Sequence, residues 1–129
     1  MKEGQRKRPC PDCAFLKCSE QGNLGGSEAS VYVGQILGPF WIPCHLSDDY
    51  RGKCSRFGEE HECAGAAAMR ANLNIADKMP PQLLKVAPNP SVFASFQEFV
   101  EHHEGWFSWR EIVSAGGPDQ MLERELDDM

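Results

Sequence analysis

Several features that would define common protein classes are missing from this sequence. None of its six cysteines follows Cys63, although the chain has 129 residues. No apolar run approaches the roughly 18–20 residues that a membrane-spanning helix needs, so we expect no membrane association. Residues 1–8 are charged and no apolar stretch follows them, so we expect no secretion signal and a cytoplasmic location. A net charge of −6 argues against a protein that coats nucleic acid.

Motifs of several enzyme classes are absent as well. Neither common glycine-rich phosphate loop occurs. Zinc deaminases place a His-x-Glu motif before their Pro-Cys-x-x-Cys turn, whereas only basic residues precede Cys10 here. A thioredoxin-like motif would follow a strand, and none is predicted before Cys13. The sequence therefore favours a non-catalytic protein, and a thiol enzyme that uses Cys18 or Cys54 is the weaker alternative.

The cysteines are the main functional signal. Clustered cysteines in a reducing cytosol are more often metal ligands than disulfides. Cys10 and Cys13 are separated by two residues, which places both sulfurs on one tight turn, as in half of a structural zinc site. Cys44 ends an apolar segment, and Cys63 precedes a predicted helix whose dipole stabilises a thiolate. The sequence predicts a metal site with four thiolate ligands: Cys10, Cys13, Cys44 and Cys63.

Four thiolates suit either Zn²⁺ or a [4Fe–4S] cluster with a redox or sensing role. Zinc is favoured because small cytosolic domains often bind it through scattered ligands, and the tight cysteine run of bacterial ferredoxins is absent. Four other side chains are candidate additional ligands or hydrogen-bond partners of the ligands: His45, Cys18, Cys54 and His61. For His61 we expect a position at the solvent-exposed surface.

We predict a small single domain of the α+β class, mostly helical, with an N-terminal half held together by the metal. Residues 1–8 form a basic flexible tail. The domain spans 9–117, with a cysteine-rich half at 9–79 and an aromatic helical half at 91–117. Residues 118–129 form a frayed acidic tail.

Hydrophobic periodicity and capping residues predict the elements. We expect a helix over 28–37 with Ser27 as its N-cap, a short strand over 40–44 and a helix over 64–73. A further amphipathic helix begins after Ser91 and ends at Gly105, and a short helix follows over 109–115. One apolar stripe is expected in the core: Val92, Phe93, Phe96, Phe99 and Val100.

Three aromatic residues after this stripe have two interpretations. Trp106, Phe107 and Trp109 either complete the core or form an exposed patch that binds a protein. A protein partner is expected, reached through this patch or through the acidic surface. Contacts with nucleic acid would be weak and limited to the basic residues 2–8.

Three short motifs also carry a family resemblance: Cys-Pro-Asp-Cys at 10–13, Pro-Cys-His at 43–45 and Cys-Ala-Gly at 63–65. Through them the sequence resembles a group of small proteins of bacteriophages and actinobacteria, over about residues 8–75. Ala14 stands where that group usually has proline. The resemblance implies an accessory or interaction protein of the phage type and brings no activity. It also implies a metal-binding set: Cys10, Cys13, Cys44 and Cys63, with His45 nearby.

Overall fold

The computed structural model describes residues 7–9, 12–24, 27–43 and 61–127. Within these ranges the protein is small and largely helical, with five α-helices and one short 3-10 helix, Ala76–Lys78. The helices are α1 (Ala29–Leu37), α2 (Ala64–Asn72), α3 (Phe96–Glu104), α4 (Trp106–Ser114) and α5 (Pro118–Asp127). The same ranges contain two isolated antiparallel bridges and no sheet, so the helical part of the predicted fold class is what the structure shows.

The alanine-rich helix α2 forms where the sequence predicts it and begins directly after Cys63. All of its residues from Ala64 to Ala71 are buried, because small side chains let the chain pack closely on every side. Helix α1 also matches its prediction to within a residue, but its N-cap is Glu28 rather than Ser27, without a side-chain capping bond. Val33 and Ile36 lie on its buried face, so burial decides for helix despite the β-branched residues.

The predicted strand over 40–44 is not a strand in the part that the structure describes. Pro43 forms only an isolated antiparallel bridge with Glu62, and the Cys63 N–H donates to the Ile42 carbonyl oxygen at 2.7 Å. Proline has no N–H to donate to a ladder, which limits pairing at this point. The short pairing nevertheless fixes the chain beside the start of α2.

The predicted helix after Ser91 begins four residues later. Ser95 is the N-cap of α3, and its hydroxyl accepts a hydrogen bond from the Glu98 N–H at 3.1 Å. A serine followed three residues later by glutamate is a capping-box spacing, which outweighs the earlier serine. Val92 therefore lies before the helix, where it forms a bridge with Leu16. The stripe predicted as core is buried, except for the half-buried Phe96.

Both C-terminal predictions need correction. Helix α4 begins at Trp106, not at 109, because Gly105 adopts a φ of 93° and starts a new helix immediately after α3. The predicted frayed tail instead forms α5, with Pro118 in the first turn, where its missing N–H has no cost. Met121 of α5 is buried, and α5 packs against α1. Residues 128–129 lie outside the described ranges, as do residues 1–6 of the basic tail.

The α1–α5 contact depends on Gly34. A Cβ added at Gly34 would overlap the backbone carbonyl oxygen of Met121, so only glycine permits this approach. Nearby, the Gln35 Nε2 donates to the Glu125 carboxylate at 3.1 Å. The packing of α5 thus fixes the outer face of α1.

An aromatic cluster joins the two halves of the chain. Phe15, from the cysteine-rich half, stacks on Phe99 of α3 with ring centroids 5.3 Å apart. Tyr32 of α1 meets both rings edge-on, and Phe93 meets Phe99 edge-on at 5.8 Å. Offset-stacked and edge-to-face contacts are the preferred geometries of such rings. The core is therefore shared between the cysteine-rich and aromatic halves.

Candidate metal centre

Two of the four predicted thiolate ligands meet in the interior. The Cys13 Sγ and the Cys63 Sγ lie 3.8 Å apart, although 50 residues separate them in sequence. Cys13 is 1% exposed and Cys63 is 6% exposed. The fold therefore brings a turn near the start of the chain onto the first residue of a buried helix.

Backbone contacts hold each cysteine in place. Cys63 is the N-cap of α2, and its carbonyl oxygen accepts the Ala67 N–H at 3.2 Å. The Cys13 carbonyl oxygen accepts the Leu16 N–H, which closes a turn. This turn is tied to the segment before α3, because the Phe93 N–H donates to the Phe15 carbonyl oxygen at 3.1 Å. These hydrogen bonds therefore fix the backbone at both cysteines.

Gly65 provides the space in which the two sulfurs meet. A Cβ added at Gly65 would overlap Cys13 Sγ and would approach Phe15 Cβ to 3.3 Å. The absent side chain is thus a spatial requirement of the pair. In the Cys-Ala-Gly motif, the cysteine supplies one sulfur and the glycine makes room for the other.

The separation of the sulfurs has a chemical meaning. A disulfide bond would bring them to about 2.05 Å, so this geometry is not a disulfide. A tetrahedral ion with metal–sulfur bonds of about 2.3 Å has its ligand sulfurs about 3.8 Å apart. Two thiols joined by an S–H···S hydrogen bond also lie at this distance. The separation of the two sulfurs is therefore the same as that of two ligands on one edge of a tetrahedral metal site.

The other candidate ligands divide into two groups. Cys18 is exposed and His61 is half-buried, and no group of three or more potential metal ligands forms among the residues that the structure describes. Cys18 and His61 therefore do not complete a site with the buried sulfur pair. The remaining candidates lie outside the described residues: Cys10, Cys44, His45 and Cys54.

A buried charged pair lies beside the candidate centre, and the sequence did not single it out. Glu62 precedes Cys63 and is fully buried, and its Oε2 accepts the Leu84 N–H at 2.6 Å. Burial raises the pKa of Glu62 to about 7, against the lowering effect of the Leu84 N–H and of Arg70. The Glu62 Oε1 and the Arg70 Nη1 lie 3.5 Å apart. One charged residue within a run of alanines was the available signal for Arg70.

Two histidines of α3 hold the loop that carries Cys13. His103 Nδ1 accepts the Gly22 N–H at 3.1 Å, and its Nε2 lies 2.8 Å from the Ala14 carbonyl oxygen. These partners assign a neutral ring with its proton on Nε2. Burial lowers the pKa of His103, which favours the same neutral form.

His102 is half-buried, and its Nε2 lies 2.7 Å from the Ser19 carbonyl oxygen. This nitrogen therefore donates to the backbone. It cannot also accept a proton from the Ser19 hydroxyl, which lies 3.3 Å away. The serine–histidine contact is a structural bond of the loop and not an activated nucleophile.

The aromatic residues of α4 separate according to exposure. Trp109 is half-buried and packs against the main core. Trp106 is 49% exposed and Phe107 is 75% exposed. Trp109 therefore belongs to the core, whereas Trp106 and Phe107 are exposed.

No helix in the described part of the chain is both long enough and apolar enough to cross a membrane. Comparison of the chain with family models, with curated proteins and with solved structures found no match.

Proposed function

We propose that this protein binds one Zn²⁺ ion through Cys10, Cys13, Cys44 and Cys63, and that the ion has a structural role. The observation that carries the proposal is the buried sulfur pair of Cys13 and Cys63, 3.8 Å apart. That distance equals the edge of a tetrahedral zinc–thiolate site. The proposal extends this pair to two further cysteines.

The sulfur distance favours a single ion over a cluster. In a [4Fe–4S] cluster each cysteine binds a different iron, so the ligand sulfurs lie farther apart than two ligands of one ion. A pair separated by one tetrahedral edge, with Gly65 making room for it, matches one shared ion more closely. Zinc is the ion that most often takes four cysteine ligands in such a site.

Chain connectivity supports Cys10 and Cys44 as the other two ligands. Cys10 precedes Cys13 by three residues, the spacing that puts both sulfurs of a turn on one ion. Cys44 directly follows Pro43, which bridges to Glu62, the neighbour of Cys63. Both cysteines are therefore tethered within a few residues of the sulfur pair.

Four thiolates leave no open coordination position, which is the arrangement of structural rather than catalytic zinc. Such an ion would cross-link the N-terminal loop, the segment that ends at Pro43 and the start of α2. Structural zinc contributes about 10–16 kcal/mol of apparent binding free energy in small domains. A domain of this size has a net stability of only about 5–15 kcal/mol, so loss of the ion should be severe.

The test is the metal content of the purified protein and of single Cys→Ser variants. We expect one zinc per chain in the native protein, and less than half an equivalent in Cys13→Ser and Cys63→Ser. The matched control is Cys18→Ser, which removes an exposed thiol and should leave the metal content unchanged. A full zinc equivalent in the Cys63→Ser protein would contradict the proposal.

Two further readouts identify the ion and its ligands. Anaerobically purified protein should be colourless, whereas brown protein that contains iron and sulfide would establish the cluster. Replacement of zinc by Co²⁺ should give strong visible bands of a tetrahedral thiolate site. Protein without metal, in which oxidation readily links Cys13 to Cys63, would instead identify the pair as a redox dithiol.

A further inference from the structure

Helix α4 has one face that the rest of the described structure leaves exposed. Ile112 is the only residue of this helix that is buried. Phe107 is 75% exposed and Trp106 is 49% exposed, and their rings contact each other edge-on at 5.0 Å. Single exposed apolar residues are ordinary, but two adjacent exposed aromatic rings form a patch that suits an interface.

Beside this patch, α4 has a shallow, open surface of about 490 Å³. Its lining occurs at the spacing i, i+3, i+4, i+7 and i+8, which is one face of a helix. The lining consists of Phe107, Arg110, Glu111, Ser114 and Ala115. The face thus has a large aromatic ring at one end, two small residues at the other, and opposite charges in the middle.

We propose that this face of α4 binds the same face of a second copy of the chain, with the two helices antiparallel about a twofold axis. In one register, Phe107 lies opposite Ser114 of the second copy, and Arg110 lies opposite Glu111 of the second copy. One twofold axis gives both pairs. It passes midway between residues 110 and 111, and the two members of each pair lie at equal distances on either side of it. The same contacts are then repeated on the other side of the axis.

The charge pattern on this face is complementary to itself, which favours a second copy as the occupant. Arg110 and Glu111 are neighbours with opposite charge, and both are exposed. An antiparallel twofold contact converts this neighbouring pair into two attractive pairs between the copies. The Arg110 guanidinium lies 5.1 Å from the centre of the Trp106 ring, which holds the cation at this face.

Shape supports the same register. The exposed ring of Phe107 requires space on the partner surface, and the small side chains of Ser114 and Ala115 leave that space at the other end of this face. The axis passes close to the middle of α4, so the nine residues of each helix overlap almost completely. A helix of this length is about 13.5 Å long, so the buried area is at the low end for specific interfaces and the dimer is weak.

The test is sedimentation velocity of the full chain from about 10 µM to about 1 mM, with a reductant present to exclude links through Cys18. We expect the mass to rise from 14.4 kDa towards twice that value across this range. Arg110→Glu and Glu111→Arg should each weaken dimerisation by at least about tenfold, because each puts like charges opposite each other. An equimolar mixture of the two variants should dimerise at least as well as the native protein, because its pairs are again opposite.

Matched controls come from α5, which also carries neighbouring exposed opposite charges. Glu123→Arg and Arg124→Glu make the same changes in net charge away from α4 and should not alter dimerisation. Phe107→Ser should weaken the dimer without changing the helical content. A native protein that is monomeric at about 1 mM, or a mixture of the two charge variants that stays monomeric, would overturn the proposal. The interface contains no cysteine, so the charge variants leave all four proposed metal ligands unchanged and metal analysis of the same samples tests the zinc proposal separately.

Discussion

Replacement of Arg70 by methionine tests how α2 is joined to the end of α1. Arg70 is 1% exposed and extends from α2 to the end of α1. Its Nε and Nη2 donate four hydrogen bonds of 2.8–3.1 Å to carbonyl oxygens in the last turn of α1 and just after it. Carbonyl oxygens in the last turn of a helix have no hydrogen-bond partner within the helix. The acceptors are the carbonyls of Gln35, Ile36, Gly38 and Phe40.

The expected loss of stability in Arg70→Met follows from these hydrogen bonds. Three of the four bonds share Nη2, which has only two hydrogens, so they count as fewer than three full bonds. With hydrogen bonds to charged groups at about 2 kcal/mol each, two to three effective bonds amount to roughly 4–6 kcal/mol. The contact of Arg70 with Glu62 is longer, at 3.5 Å, and adds less. We expect Arg70→Met to lower the free energy of unfolding by about 4–6 kcal/mol, a large part of the total.

Urea unfolding followed by circular dichroism measures this loss, with Arg124→Met as the control. Arg124 is exposed, so its loss should change the stability by less than about 0.5 kcal/mol. The double variant Arg70→Met/Glu62→Gln separates the carbonyl contacts from the ion pair, and it should remain nearly as unstable as Arg70→Met. Recovery of most of the stability in the double variant would show that an unpaired Glu62, and not the lost carbonyl contacts, causes the effect.

Three further predictions concern two glycines at close contacts and one buried histidine. Gly65→Ala should reduce zinc retention and stability, because its methyl group meets Cys13 Sγ, although helix propensity alone would give a gain of up to about 1 kcal/mol; metal analysis and thermal melting measure both. Gly34→Ala should lower the melting temperature by separating α5 from α1, and an unchanged melting curve would contradict the packing. Burial lowers the pKa of His103, so the contribution of its neutral ring to stability is fully present above pH 6.5 and is lost as the pH falls below that value. His103→Gln should therefore reduce the difference in the free energy of unfolding between pH 7 and pH 5, measured by urea unfolding.

The sequence was enough to predict the elements whose formation depends on neighbouring residues. An alanine-rich run after Cys63 predicts α2 correctly, and apolar residues at helical spacing predict the core stripe, of which only Phe96 is half-buried. The sequence also contains the signal for the start of α3, because Ser95 and Glu98 have the capping-box spacing. The prediction that the helix begins after Ser91 is wrong, since Ser91 has no such partner. These boundaries depend on residues within one helical turn.

Elements that depend on distant partners could not be predicted in this way. The acidic segment after Gly117 has few apolar residues, so by itself it resembles a frayed tail. It becomes α5 because Gly34, more than 80 positions earlier, leaves space for its backbone and Met121 fills the contact. Arg70 is similar, since its four acceptors lie at the end of α1 and just after it, in a segment that the sequence does not place beside α2.

The cysteine-rich and aromatic halves should unfold together when the proposed ion is removed. Phe15 follows Cys13 by two residues and stacks on Phe99 of α3, so displacement of the metal-binding turn disturbs the aromatic core. Trp41 is buried in the first half, and Trp109 packs on the core in the second.

Variants that retain only Trp41 or only Trp109 therefore report the two halves separately by fluorescence. We expect coincident melting temperatures with zinc, and coincident lower ones after chelation, because one cluster of rings belongs to both halves. If Trp41 melts first after chelation while Trp109 keeps its original transition, the shared core does not couple the halves. The ion would then stabilise only the segment that it binds.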